Sequence, residues 1–237
     1  FTPLFDEFKN IDILELDYNG RHKGFKGLFA LFRDIRKLDP IGIVDLHGSL
    51  RTNILRLFFF FSSIRYKKIL KGRVEKRALT RKNNKIWLPL TPTIHRYVDV
   101  LRKIGFPVDL SDHEFPLKLI TPKRFNDSFF NSKLKWIGIA PFAKHAGKVY
   151  PFDLTQKVIS FLQRDNQVFL FGANGYEANK LKVWERAYTN VYSLAGKYSL
   201  SEQIKIISNL DVMISMDSAN GHIAANYEIP VVTIWGV

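Results

Sequence analysis

Residues 216–222 read Met-Asp-Ser-Ala-Asn-Gly-His, an acid, a hydroxyl and an imidazole crowded among small residues directly after the apolar run Asp211-Val-Met-Ile-Ser215. A packed core has no use for such a cluster, but a strand-to-helix turn does. The first backbone N–H groups of a helix lack intrahelical partners and carry the positive end of its dipole, so they favour an anion such as a phosphate. Small residues at Ser218, Ala219 and Gly221 would let the anion reach the backbone, and His222, one turn in, is placed to donate a hydrogen bond to it. Asp217 does not suit an anion's neighbour, so it is expected to position amides or to accept a sugar hydroxyl. The competing reading makes Asp217 or Ser218 a plain helix cap. A serine hydrolase is excluded: the five residues centred on Ser218 are Met-Asp-Ser-Ala-Asn, not Gly-x-Ser-x-Gly, and triad members converge from separate loops.

Three further loops carry chemistry. Pro141-Phe-Ala-Lys-His-Ala-Gly-Lys-Val-Tyr-Pro151 sets Lys144, His145 and Lys148 around Gly147, cations suited to neutralising a diphosphate as it departs. Exposed loop lysines are the plainer alternative, more so for Lys144 than for Lys148. Phe171-Gly-Ala-Asn-Gly-Tyr-Glu177 is a Gly-containing turn; Glu177 either accepts ribose hydroxyls or is a first-turn acid favoured by the helix dipole. Asp45-Leu-His-Gly-Ser-Leu-Arg51 also opens a helix, and Arg51 would bind an anionic acceptor, helped by the basic stretch from Arg65 to Arg81, unless Ser49 is only a cap and Arg51 only exposed.

The elements that must position these loops alternate. Ile11 to Asp17 reads as a strand, Phe25 to Leu38 as an amphipathic helix, Ile41 to Leu46 as a strand and Ser49 to Phe61 as a helix, which is the pattern of parallel βαβ units. A strand and a basic, loop-rich stretch follow to Lys85, then a helix from Ile94 to Ile104 and a proline-rich linker from Pro107 to Pro122. Beyond it the pattern restarts with strands at 136–140, 167–171, 191–194, 211–215 and 230–235, and helices between them. Two tandem α/β domains, 1–125 and 126–237, are expected, with ligands at the carboxyl ends of the strands.

Composition bounds the partners. Of 237 residues 46% are hydrophobic, and Lys plus Arg exceed Asp plus Glu by 14, an excess that suits nucleic acid, an anionic membrane surface or a phosphorylated substrate. A nucleic-acid module would interleave aromatics with Lys and Arg on a sheet face; here the aromatics fall at core-facing positions. With no cysteine and six histidines without ligand spacing, no metal site is expected, and a cytosolic setting is the default. The longest apolar run, Leu57-Phe-Phe-Phe-Phe61, is far short of the roughly 20 residues of a membrane span.

Taken in order, these segments resemble the heptosyltransferases, the family-nine glycosyltransferases of the lipopolysaccharide inner core. Met216-Asp-Ser-Ala-Asn-Gly-His222, followed by Ile223-Ala-Ala225 and Pro230-Val-Val, is close to the family's Asp-Thr-Gly-x-x-His turn, Val44-Asp-Leu-His-Gly-Ser-Leu-Arg51 matches its N-domain motif, and Lys148-Val-Tyr-Pro151 is similar to its Lys-x-Trp-Pro. The resemblance implies a GT-B fold, two Rossmann-like domains facing a cleft, and metal-independent inversion with no cofactor beyond a nucleotide-sugar donor, ADP-heptose for the family. It places Lys148, Asp217 and His222 at the reaction. Lys144, Lys148, Asp217, Ser218, Ala219 and His222 would bind the donor, with Glu177 at the ribose and Tyr198 on the nucleobase side. Asp45, His47 and Arg51 would face an anionic glycolipid acceptor, with the chain at the cytoplasmic face of the inner membrane and in peripheral contact with it. In two respects it departs from the family: Ala219 replaces a glycine, and the loop that carries the family's general base, an aspartate, would lie before Phe1, so both ends are read as cuts through a larger fold. A non-catalytic nucleotide-sugar- or phosphate-binding protein and a basic nucleic-acid-binding module are the remaining alternatives.

Overall fold

A computed structural model describes residues 2–129 and 133–235. The chain forms two compact units, Leu14–His113 and Phe1–Ile13 together with Glu114–Val237. In the first, α1 (Gly24–Lys37), β1 (Gly42–Asp45), α2 (Leu50–Phe58), β2 (Arg65–Lys68), α3 (Arg73–Thr80) and α4 (Thr93–Ile104) follow one another. β1 and β2 pair in parallel, with Ile43 opposite Tyr66. The apolar stripe of α1 and the inner face of α2 meet in a core of Leu31, Leu55 and Phe59, against which Phe32, Ile35 and Ile43 pack. A reciprocal Ser49–Thr52 capping box starts α2.

Two expectations fail within residues 11–113. Ile11–Asp17 is not a strand; its alternation suits one, but a strand needs a neighbour's backbone to complete its hydrogen bonds. Residues 73–80, taken as loop-rich, are the helix α3, whose apolar positions are hidden among lysines and arginines.

The second unit runs α5 (Lys123–Phe129), β3 (Lys135–Ala140), a 3-10 turn (Ala146–Lys148), α6 (Phe152–Leu162), β4 (Asn166–Leu170), α7 (Tyr176–Ala187), β5 (Val191–Ser193), α8 (Leu200–Ile207), β6 (Val212–Met216), α9 (Ala219–Asn226) and β7 (Val231–Ile234). All five strands are parallel, in the order β5-β4-β3-β6-β7. Helices on both faces explain the continuous apolar runs of the central strands. Alternate residues feed opposite layers: Phe169 and Phe171 join one core, Val168 and Leu170 the other. Gly138 lets β3 pack closely on its cover, since a Cβ there would lie 2.5 Å from Leu210 Cδ1 and displace that side chain.

The expected boundary at 125/126 moves to 113/114. Phe125 is fully buried in the second unit's core, with its ring 5.3 Å from Trp136 and 5.0 Å from Phe169. Leu119 is tied to the same unit, its N–H donating to Ser208 Oγ at 3.0 Å and its carbonyl accepting from Asn209 Nδ2 at 2.7 Å.

Candidate functional site

The chain order β3, β4, β5 runs one way across the sheet and β6, β7 the other, so the reversal falls between the neighbours β3 and β6. In open parallel sheets the crevice beyond the carboxyl ends of such a pair is the ligand site. The loop after β3 and the 216–222 turn after β6 both open there. Lys148, at the end of the 3-10 turn, forms an ion pair through Nζ with Asp217 Oδ2, and the Tyr150 N–H donates to Met216 Sδ at 3.3 Å. The two strongest motifs of the sequence are therefore joined. Asp217 is held by a cation rather than acting as a cap.

Ser218 occupies the N-cap position of α9 in extended conformation, with no hydrogen bond from its side chain to the helix. The Ser215 hydroxyl donates to the Met216 carbonyl at 2.7 Å, so at the 2.9 Å Ser215–Ser218 contact it is Ser218 that donates. The first turn of α9 thus begins without a capping side chain, and its amides retain their attraction for an anion. Gly221 does not serve that anion as expected: it is buried, and a Cβ there would meet Ser215 Cβ and Oγ at 3.1 Å. Its small size lets α9 pack on β6. His222 is exposed and shares a helix face with Ala219, three residues before it.

A pocket of about 350 Å³ lies beside this turn, within the range of small-molecule sites. Ala140, Phe142 and Lys144 form one side, Phe171 to Ala173 with Glu177 another, and Leu200 with Gln203 a third, while Ser218, Ala219 and Asn220 close it. Lys144 has no carboxylate partner among the described residues. Glu177 lines the pocket, but its Oε2 accepts the Ala173 N–H at 2.7 Å, so the turn it closes has first claim on that oxygen. Tyr198 is not among the lining residues. Its ring packs edge-on to Phe125 at 5.9 Å and lies 4.4 Å beneath the Arg124 guanidinium, and burial, opposed by Arg124, pushes its phenol upward.

Leu200 and Gln203 were missed in the sequence. They enter because α8 begins on a Ser199–Glu202 capping box, and Arg124 from α5 grips the same Glu202 at 2.7 and 3.1 Å. The Ser199 N–H and hydroxyl, with Arg124, hold the Glu202 carboxyl below its usual range, the backbone N–H most of all.

In the first unit Asp45 braces its own turn through one carboxylate oxygen, and its Oδ2 is buried without a hydrogen-bond partner among the described residues. The residue is buried, and its Oδ1 accepts the N–H groups of His47 at 3.0 Å and Gly48 at 2.7 Å. Burial, followed by the charge of Asp45, pushes the neighbouring Tyr66 phenol far up. His47 and Arg51 are exposed and line a largely apolar pocket of about 900 Å³ with Leu28, Leu31 and Leu55. The Arg51 guanidinium stacks 4.5 Å from the Tyr18 ring.

The family model for glycosyltransferase family 9 (heptosyltransferase) matches residues 30–237. The chain belongs to glycosyltransferase family 9. The lipopolysaccharide core heptosyltransferase OpsX of Haemophilus influenzae is 23% identical over 241 residues, 98% of this chain and 66% of that protein; the family 9 chain thus spans just under two thirds of this relative's length. Among solved structures, a family 9 glycosyl transferase from Veillonella parvula superposes with a TM-score of 0.72 at 16% identity, covering 99% of this chain and 69% of that one. The ADP-heptose LPS heptosyltransferase II of E. coli gives 0.65 at 17%, covering 98% and 71%. The fold is that of the GT-B glycosyltransferases.

In this family 9 chain the α9 amides, Lys144 and Lys148 lie at the sheet's reversal point. Among the described residues no group of three or more His, Asp or Glu side chains is placed to hold a metal ion. No helix among them is long and apolar enough to cross a membrane.

Proposed function

We propose that this chain is part of a metal-independent, inverting glycosyltransferase that moves a sugar, heptose from ADP-heptose, onto a lipopolysaccharide core or a related anionic glycolipid. The reading is carried by one observation: Lys148 and Asp217 meet beside an uncapped helix start at the reversal point of a parallel sheet. Family membership and the donors and acceptors named for the relatives support it.

The reaction is a direct displacement. The oxygen of an acceptor hydroxyl attacks the anomeric carbon, the bond from that carbon to the diphosphate oxygen breaks, and the diphosphate leaves with the bonding electrons while the hydroxyl proton passes to a base. The residues of this chain act on the leaving side. Lys148, released from Asp217, and Lys144 neutralise the growing charge, the α9 amides and His222 donate hydrogen bonds to it, and Asp217 fixes the resting position of Lys148. Ser218 and Ala219 let the phosphate approach the backbone, and Glu177 offers its second carboxylate oxygen to the ribose. Tyr198 sets the nucleobase wall through the segment leading to Leu200 and Gln203. His47 and Arg51 serve the acceptor, at the inner face of the inner membrane.

Thermal shift and calorimetry of the chain with ADP, ADP-heptose and UDP sugars test donor choice, and a transfer assay with a lipopolysaccharide-core acceptor tests the reaction. ADP-heptose is expected to bind and to be consumed. Binding of every nucleotide sugar without transfer would leave a non-catalytic binder, and no binding at all would end the proposal.

A further inference from the structure

The basic residues between 65 and 81 are left unused by the donor pocket, and several of them converge. Beyond the carboxyl end of β2 the chain turns at Gly72 (φ +59°) into α3, and a cavity of about 360 Å³ opens at the turn, lined among others by Gly48, Asn53, Lys68, Lys71, Arg73 and Glu75. Its frame is fixed from within. The Ile69 N–H donates to the Asp45 carbonyl at 2.9 Å. Arg96 of α4 clamps the turn, donating to the carbonyls of Leu70 at 2.9 Å and Thr91 at 3.0 Å. At φ +59° the backbone of residue 72 is left-handed, which favours glycine.

The cations face this frame with capacity to spare. The Lys68 ammonium donates to Asn53 Oδ1 at 2.9 Å, one use of its three N–H groups. The stem of Lys71 lies over Gly48, where an added Cβ would meet its Cε at 3.2 Å. Among the described residues no carboxylate pairs with Lys68, Lys71 or Arg73. Glu75 shares the cavity without bridging any of them. Three cations and one carboxylate leave a net charge of about +2 in a concave site, where field lines are focused and a multivalent anion is attracted. A carboxylate would answer only one of those charges; a phosphoryl group is a dianion near neutral pH, with three acceptor oxygens for several donors.

We propose that this cavity is a phosphate-binding subsite, taking a phosphoryl group through Lys68, Lys71 and Arg73. It is built wholly from residues 14–113 and does not depend on the transferase reading. If that reading holds, the phosphoryl group is one carried by the acceptor.

Calorimetric titration of the 237-residue chain with inorganic phosphate and with pyrophosphate at low salt tests it, alongside a Lys144→Ala/Lys148→Ala variant that removes the donor pocket's own lysines. Saturable binding is expected to persist in that variant, to weaken about tenfold or more in Lys71→Ala/Arg73→Ala, and to tighten in Glu75→Gln. Thermal melts confirm that each variant is folded. Binding that is abolished by the donor-pocket variant, or that is undiminished in Lys71→Ala/Arg73→Ala, would overturn the proposal. Vesicles of phosphatidylcholine with and without phosphatidic acid distinguish the source. Phosphatidic-acid-dependent sedimentation lost in Lys71→Ala/Arg73→Ala assigns a lipid phosphate; phosphate binding without sedimentation assigns a soluble phosphorylated ligand.

Discussion

Replacing Lys148 by alanine separates what the Lys148–Asp217 pair does for the fold from what it does for a ligand. The two side chains are 43% and 22% exposed, so water screens their attraction and the pair contributes about 0.2–1 kcal/mol to stability. In a chain of this size that corresponds to a melting shift of at most about 4 °C. Against a bound diphosphate the same ammonium makes a charge-assisted hydrogen bond worth about 1.5–3 kcal/mol, which is about a 10- to 150-fold loss in ADP affinity. Asp217→Asn reverses the second effect and not the first. It removes the same ion pair, with a similarly small melting shift, but it frees Lys148 and deletes a negative charge beside the anion, so ADP should bind as tightly as before or a few-fold more tightly. Calorimetry with ADP and thermal melts on the two variants read both quantities. If Lys148→Ala leaves ADP affinity within about threefold of the wild type, Lys148 is not a phosphate ligand. If Asp217→Asn weakens ADP as much as Lys148→Ala does, Asp217 is itself a ligand and its pairing with Lys148 is not a resting position.

Phe125→Ala removes a fully buried ring and should cost about 3–5 kcal/mol in chemical denaturation; a loss below 1 kcal/mol would return residues 114–125 to a linker. Gly138→Ala forces a Cβ to 2.5 Å from Leu210 Cδ1 and is expected to destabilise by about 1–3 kcal/mol through overpacking. Glu202 is held below the ordinary glutamate value of 4.5, so its stabilising share is complete above that value and is lost as pH falls through the folded one. Melts from pH 7 to pH 3 should therefore show the wild type converging on Glu202→Gln as the acid range is entered, and a constant gap would refute the linkage.

The second unit was legible because its chemistry and its topology write the same pattern. Strands covered on both faces read as near-continuous apolar runs, so 136–140 and 167–171 stand out, and once the strands are ordered, the turns at their carboxyl ends are the places to look. Phe125 lay hidden in a proline-flanked segment, where nothing local announces a core residue. Ile11–Asp17 shows the opposite failure: its alternation is sound, but pairing is decided by a neighbour's backbone rather than by the segment itself. The site residues divide on a related point. A sequence reveals what a loop carboxylate is able to bind, not whether a nearer partner has already taken it. Asp45 went to the amides of His47 and Gly48, one oxygen of Glu177 to the amide of Ala173, and Asp217 to Lys148. Each partner lies within four residues of its acid except the last, 69 residues away. A carboxylate in a tight turn meets its own unpaired N–H groups before any ligand arrives, so local acids are weak markers of a site. Asp217 is the stronger one because its partner is a cation brought from another loop, 69 residues away.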